Sequence, residues 1–187
     1  MFTIVGIDVG LKGALCLLQF TKPEYEWKDL CLVQFIKMPL RKDGDFDDIG
    51  ALKTIQNFGS AIVFVERPMI IPGRSSGILT SGTNFGKLLG MMLASKINYH
   101  EVAVCTWQKQ LHFLSKEKEP NPKERSLASF KQFLKLGNDL ISSDLAAVLE
   151  HKSKEVREAF VDAFCIAEFG RECISRAGRV RPIRYVN

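Results

Sequence analysis

Long apolar runs are missing from this 187-residue chain. Charged or polar residues interrupt every one before the roughly 18 residues of a membrane span, which argues against membrane insertion. The five cysteines (Cys16, Cys31, Cys105, Cys165, Cys173) form no Cys-x-x-Cys pair, so neither a zinc knuckle nor a dithiol redox motif is written here. Their odd number and apolar surroundings predict reduced, buried thiols, a reducing intracellular compartment and no secretion. Three scattered histidines argue against a zinc site. A strand beginning at Thr3 leaves no room for a signal or transit peptide. Internal repeats, low-complexity tracts and linker-like stretches are absent too. The expectation is one domain over residues 1–175 and a basic tail over 176–187.

What is present is a soluble, ordinary composition: 46% apolar and 25% charged residues, enough for a sizeable core. Lys and Arg outnumber Asp and Glu by 26 to 21, a net charge of +5. The excess is local. Trp107 to Lys135 carries seven Lys/Arg against three Glu, and Arg171 to the end carries five Arg against one Glu. Such basic surface suits a polyanion, nucleic acid before anionic membrane.

Thr3 to Ile7 is an apolar, β-branched run of the kind found at the centre of a sheet, and Asp8 stands at its end. Gly10 and Gly13 allow a tight turn into a second apolar run, Ala14 to Phe20, which reads as a hairpin. Cys31 to Ile36 is a third strand. Asp47-Asp48 caps a helix over Ile49 to Phe58, with Leu52 and Ile55 inward and Gly59 closing it. Ala61 to Val65 is a second central-type strand, and Glu66 stands at its end as Asp8 does at the first. Parallel strands of an open α/β sheet present such ends on one edge, where sites form.

Pro68 to Gly82, with its prolines, glycines and hydroxyls, reads as a long functional loop. Asn84 to Ile97 is a helix with the apolar stripe Phe85, Leu88/Leu89, Met92/Leu93, a core or dimer contact. Gly86-Lys87 lacks the upstream glycine and following Ser/Thr of a phosphate loop. Glu101 to Cys105 is a fifth strand leading into a short helix that carries Trp107 and Lys109. Pro122 or Lys123 opens a helix to about Leu136. A short helix follows at Asp144 to Leu149. The last helix runs from Lys154 to Ile174, its core face Val156, Phe160, Ala163/Phe164 and Ala167. Three strands, a helix, then alternating strand and helix predict a mixed α/β sheet with an antiparallel hairpin side.

Glu155, Glu158 and Asp162 share one face of that last helix. Alone they read as a solvated surface, and Asp8 alone as a turn aspartate. If the helix end lies over the sheet edge, Glu158 and Asp162 converge with Asp8 and Glu66. Four carboxylates in one place repel each other and need a cation. Hard oxygen donors with open positions suit Mg²⁺ or Mn²⁺. Two such ions about 4 Å apart stabilise the attacking and leaving oxygens of phosphodiester cleavage.

Ile4-Val5-Gly6-Ile7-Asp8-Val9-Gly10, then Gly13, and Val63-Phe64-Val65-Glu66-Arg67-Pro68 together resemble the RuvC-like branch of the ribonuclease H superfamily. Phe85-Gly86-Lys87-Leu88-Leu89-Gly90-Met91 and Val104-Cys105-Thr106-Trp107-Gln108-Lys109 are similar to its phage and chloroplast members. The closing Val161-Asp162-Ala163-Phe164-Cys165-Ile166-Ala167-Glu168-Phe169-Gly170 is similar to their acidic helix. The resemblance runs from Thr3 to about Glu172 and rests on motif order and spacing.

It implies a ribonuclease H-like five-stranded mixed sheet flanked by helices. It also implies a homodimeric Holliday junction resolvase that nicks branched DNA (a four-way junction) with two Mg²⁺, Mn²⁺ substituting. Asp8, Glu66 and Asp162 match its catalytic metal ligands. The fourth acid lies three residues before the helix aspartate in RuvC, which is Ala159 here, and four before in the phage type, which is Glu158. Glu158 is therefore the expected ligand, with Glu155 in reserve. Lys12, Arg67, Arg74, Lys87, Lys109, Lys123 and Arg125 are the candidate DNA-phosphate contacts. Alternatives are a ribonuclease H-fold nuclease acting on RNA or RNA–DNA hybrid, and a non-catalytic junction-binding protein. An actin- or sugar-kinase-type ATPase would need two such domains.

Overall fold

In the computed structural model, residues 1–69, 76–111, 121–135 and 139–177 are described. Strands β1 (Phe2–Asp8), β2 (Ala14–Phe20) and β3 (Leu30–Lys37) precede helix α1 (Asp48–Asn57). Then follow β4 (Ala61–Arg67), α2 (Ser76–Ala94), β5 (Tyr99–Ala103) and α3 (Val104–Leu111). Helices α4 (Pro122–Leu134), α5 (Asp139–Leu149) and α6 (Lys154–Ala177) complete the described chain.

The strands form a five-stranded sheet of order β3-β2-β1-β4-β5. β2 pairs antiparallel with β1 and with β3, while β4 lies parallel to β1 and β5 parallel to β4. This is the mixed sheet expected, with the two apolar runs at its centre. Ile4, Val5, Ile7, Val63 and Val65 have no solvent exposure.

Two apolar layers sandwich the sheet. One packs β-strand side chains against α3, α4, α5 and α6 through Phe130, Phe133, Phe164 and Trp107. The other packs them against α1 and α2 through Ala51, Ile55, Leu88 and Met92. From Val161 to Arg171, α6 is buried all round, as a helix must be when it crosses a sheet beneath other helices. Its approach is closest at Gly6. A Cβ there would strike the backbone of Ala163 and Ala167, so only glycine admits the helix.

Several element bounds differ from the sequence reading. Residues 76–82 are helical, so the expected loop from Pro68 to Gly82 is cut short, and residues 70–75 within it lie outside the described residues. Local Gly/Ser/Thr content argued for a loop, but helix propensity is a weak prior that packing overrides. Leu88 and Met92 anchor the helix, whereas Leu93 is 56% exposed. The fifth strand ends at Ala103, and Val104 and Cys105 belong to α3. On α1 the fully buried pair is Ala51 and Ile55. The short helix expected at Asp144 to Leu149 starts earlier, at Asp139.

All five cysteines are free. Cys16 and Cys165 are buried as expected, but Cys31 and Cys105 are exposed. Cys31 falls on the outward side of edge strand β3, and Cys105 on the open side of α3. Among the described residues no helix is long and apolar enough to cross a membrane.

Candidate active site

Ile7 pairs with Val65 in the parallel register of β1 and β4. Asp8 and Glu66 are the next residues on each strand, so they stand side by side, one strand spacing of about 4.8 Å apart. The turn that follows keeps Asp8 in place. The Gly13 amide donates to the Gly10 carbonyl at 3.0 Å, and a Cβ on Gly13 would collide with the carbonyl oxygen of Asp8. Glycine is required there because the chain doubles back on the strand end.

Asp162 reaches the same edge from α6. It is only 6% exposed, and the close seat of α6 on Gly6 sets its height above the sheet. The three carboxyls sense one another. Burial, then the charge of Asp162, pushes Asp8 up to about 6, against the pull of Lys123. Burial, then Asp8, pushes Glu66 up to about 8. Burial also raises Asp162, although the Lys123 ammonium and the Ser126 hydroxyl oppose it. Desolvated carboxylates crowded together resist ionisation, which is the signature of a site built for a cation or a proton.

Two further side chains complete the cluster. The Trp107 indole N–H donates to Glu66 Oε2 at 2.8 Å, fixing that carboxyl from α3. The Lys123 ammonium donates to Asp162 Oδ2 and forms an ion pair with it. Burial would lower the Lys123 pKa, but the Asp162 carboxylate outweighs it and the net shift is upward. Sequence reading placed Lys123 among phosphate contacts and gave Trp107 no role. Lys123 and Ser126 are three apart on α4, a spacing that puts both on one face. Only the packing of α4 on α6 shows that Asp162 lies opposite that face.

Glu158 lies one turn before Asp162, 3.8 Å from Lys154 and with its side chain 32% exposed. It lines a groove of about 230 Å³ with Asn121, Lys123, Arg157 and Asp162, and its charge raises Asp162. Ala159 is buried. Glu155 is turned outward, its carboxylate 2.8 Å from the Lys12 ammonium. Lys12 thereby pairs the β1–β2 turn with α6 at the exposed surface. The structure brings Asp8, Glu66 and Asp162 together and leaves Glu158 at the rim and Glu155 outside.

The donor set fits a hard divalent ion in chemistry. Asp162 Oδ1 is buried without a hydrogen-bond partner, a lone pair with nothing to bind. Among the described residues, however, no group of three His, Cys, Asp or Glu side chains closes to a ligand geometry. The Lys123 ammonium supplies the positive charge at Asp162.

Of the remaining candidate phosphate contacts, Arg67 and Lys109 are exposed at the ends of β4 and α3, and Lys87 is exposed on α2. Arg125 is half-buried, with Nε unpartnered. Arg74 lies outside the described residues. The C-terminal arginines divide. Arg171 is buried, donating to both oxygens of Glu168 at 2.7 Å and to the Tyr25 carbonyl at 3.0 Å. Arg176 pairs with Glu172 at 2.6 Å. Arg171 is thus paired inside the fold and Arg176 at the exposed surface, and residues 178–187 lie outside the described residues.

No family model matches the chain, and no curated protein matches its sequence. Solved structures do match. The yeast mitochondrial Holliday junction resolvase Ydc2 is 12% identical with a TM-score of 0.68, over 95% of this chain and 81% of that one. The fowlpox virus resolvase, solved with substrate Holliday junction DNA, is 14% identical with a TM-score of 0.60, over 92% and 99%. Thermus thermophilus RuvC is 14% identical with a TM-score of 0.54, over 92% and 98%. The fold is that of the RuvC-like resolvases. The five-stranded mixed sheet flanked by helices that was expected from the sequence is the sheet found.

Proposed function

We propose that this chain is a structure-selective endodeoxyribonuclease that resolves four-way DNA junctions as a homodimer, by metal-ion-assisted phosphodiester hydrolysis. The observation that carries the reading is the edge where Asp8 and Glu66 stand in register beneath buried Asp162, with all three carboxyls raised. Likeness in fold to three junction resolvases supports it.

Asp8, Glu66 and Asp162 would hold the metal, with Glu158 joining from the rim by a side-chain rotation. Two Mg²⁺ there, or Mn²⁺, would supply positive charge to the attacking and leaving oxygens. The chain's own residues set the conditions. Trp107 orients Glu66 and keeps one of its oxygens occupied. Lys123 neutralises Asp162 and lines the adjoining groove, where its ammonium would be available to a phosphate oxygen. Partial burial of Asp8 and Glu66 and burial of Asp162 strengthen the charge interactions at the edge. Lys12, Arg67, Arg74, Lys87, Lys109 and Arg125 would contact the backbone without reading sequence.

A substrate panel tests the reading. With Mg²⁺, a four-way junction should be nicked in preference to flap, linear duplex and RNA–DNA hybrid. Preferential cutting of the hybrid would replace it with a ribonuclease.

A further inference from the structure

A second polar cavity, of about 280 Å³, lies on the opposite face of the sheet from Asp162. Thr80, Thr83, Asn84 and Lys87 line it from α2, at i, i+3, i+4 and i+7, which is one helical face. Leu11 of the β1–β2 turn and Arg41, Asp45 and Phe46 of the segment before α1 close it. Asn84 is only 6% exposed, and its Nδ2 has no hydrogen-bond partner. A buried amide without an acceptor is costly and rare in folded proteins. Around it stand two hydroxyls and the Lys87 ammonium. Asp45 is the carboxylate of the lining. The Arg41 guanidinium is held at the rim by Asp48 at 2.8 Å.

Donors of three kinds converging on one cavity, with an orphaned amide at its base, ask for an anionic oxygen acceptor. We propose that this cavity is a phosphate-binding subsite, which takes a backbone phosphodiester of the DNA away from the scissile one. The β1–β2 turn links the two places. Lys12 reaches across to Glu155 on α6, the helix that carries Asp162, while Leu11 forms a wall of the α2 cavity. A strand crossing this turn lays one phosphate at Asp8 and another beside Asn84. The choice of DNA as the source of the phosphate rests on the proposed function; the anion chemistry does not.

The test uses the full chain in two arms. In the first, inorganic phosphate is titrated while the Asn84 side-chain amide and the Thr80 and Thr83 backbone amides are followed by ¹⁵N NMR. Saturable shifts are expected, and Thr80→Val, an exposed and nearly isosteric change, should weaken them about tenfold, as loss of one hydrogen bond to a charged group does. In the second, junction affinity is measured against salt. Lys87→Met should reduce the slope of log K on log salt by about one, and Thr80→Val should lower affinity. Absent or non-saturating shifts, or variants with unchanged affinity and slope, would overturn the subsite while junction cleavage by the parent chain leaves the nuclease reading standing. Saturable shifts in a chain that neither binds nor cuts junctions would overturn the DNA assignment and the nuclease reading together.

Discussion

The three acids of the sheet edge carry opposite instructions for stability and for chemistry. Asp8 and Glu66 have folded-state pKa values of about 6 and about 8, raised above ordinary carboxylates chiefly by burial. A raised carboxyl binds its proton more tightly in the folded state than in the unfolded one, so its contribution to stability is complete below the unfolded pKa. That contribution is lost as pH rises through the folded value. The EDTA-treated protein should therefore lose stability between about pH 4 and pH 8, and Glu66→Gln should flatten the upper part of the fall. Mg²⁺ should restore stability at pH 8 by binding the ionised form. Denaturant melts at several pH values read this out, and stability that rises over the window would contradict the site's electrostatics. On the proposed mechanism, Asp8→Asn or Glu66→Gln should reduce cleavage by about 1,000-fold or more while gel-shift binding of a junction persists. Asp8 and Glu66 were legible in the sequence because two apolar strands each end in a lone acid; helical spacing put Asp162 on one face with Glu155 and Glu158, and the resemblance in motif order picked it out. Trp107 and Lys123 were not legible as their partners, since each pairing joins elements far apart in the chain.

At the scale of elements, α6 does most to assemble the site, and its seat depends on Gly6. Gly6→Ala forces a methyl against the Ala163 and Ala167 backbone, which cannot yield as a side-chain tip would. A loss of about 3 kcal/mol is expected by urea denaturation, at the upper end of overpacking costs, together with loss of cleavage as Asp162 is lifted. Glu168, also on α6, separates a structural acid from the site acids. It is fully buried and bound to Arg171, with the Trp27 indole donating to it at 3.4 Å. Glu168→Gln leaves the buried Arg171 guanidinium with Glu172 as its remaining countercharge and should cost about 2 kcal/mol, the loss of hydrogen bonds to a charged group. Cleavage per folded molecule should survive; its loss would mean that Glu168 belongs with Asp162. Sequence pattern gave the existence and order of nearly every element, since apolar runs and helical stripes are local signals. It missed the start of α2 at Ser76, where glycines and hydroxyls favour a loop locally and the helix is held by Leu88 and Met92 further on. It also counted Arg171 toward a basic C-terminal surface, whereas Arg171 is buried and paired with Glu168.

For the whole molecule, the sheet order β3-β2-β1-β4-β5 explains why the acids meet. β1 lies between its hairpin partner and a parallel neighbour, so the ends of β1 and β4 share an edge that α6 crosses. Structures of junction resolvases with 12–14% identity have the same fold, as expected when packing geometry rather than residue identity is retained. A single such site cuts one strand, and resolving a junction takes two opposed cuts, which is why a homodimer belongs to the proposal. The most direct measurement incubates the purified chain with a mobile four-way junction in Mg²⁺ and, separately, in EDTA, and maps the 5′ ends on all strands. Paired nicks at symmetric positions on two opposed strands, in Mg²⁺ alone, are the predicted result. Cleavage that is undiminished in EDTA, or an intact junction in Mg²⁺, would contradict it.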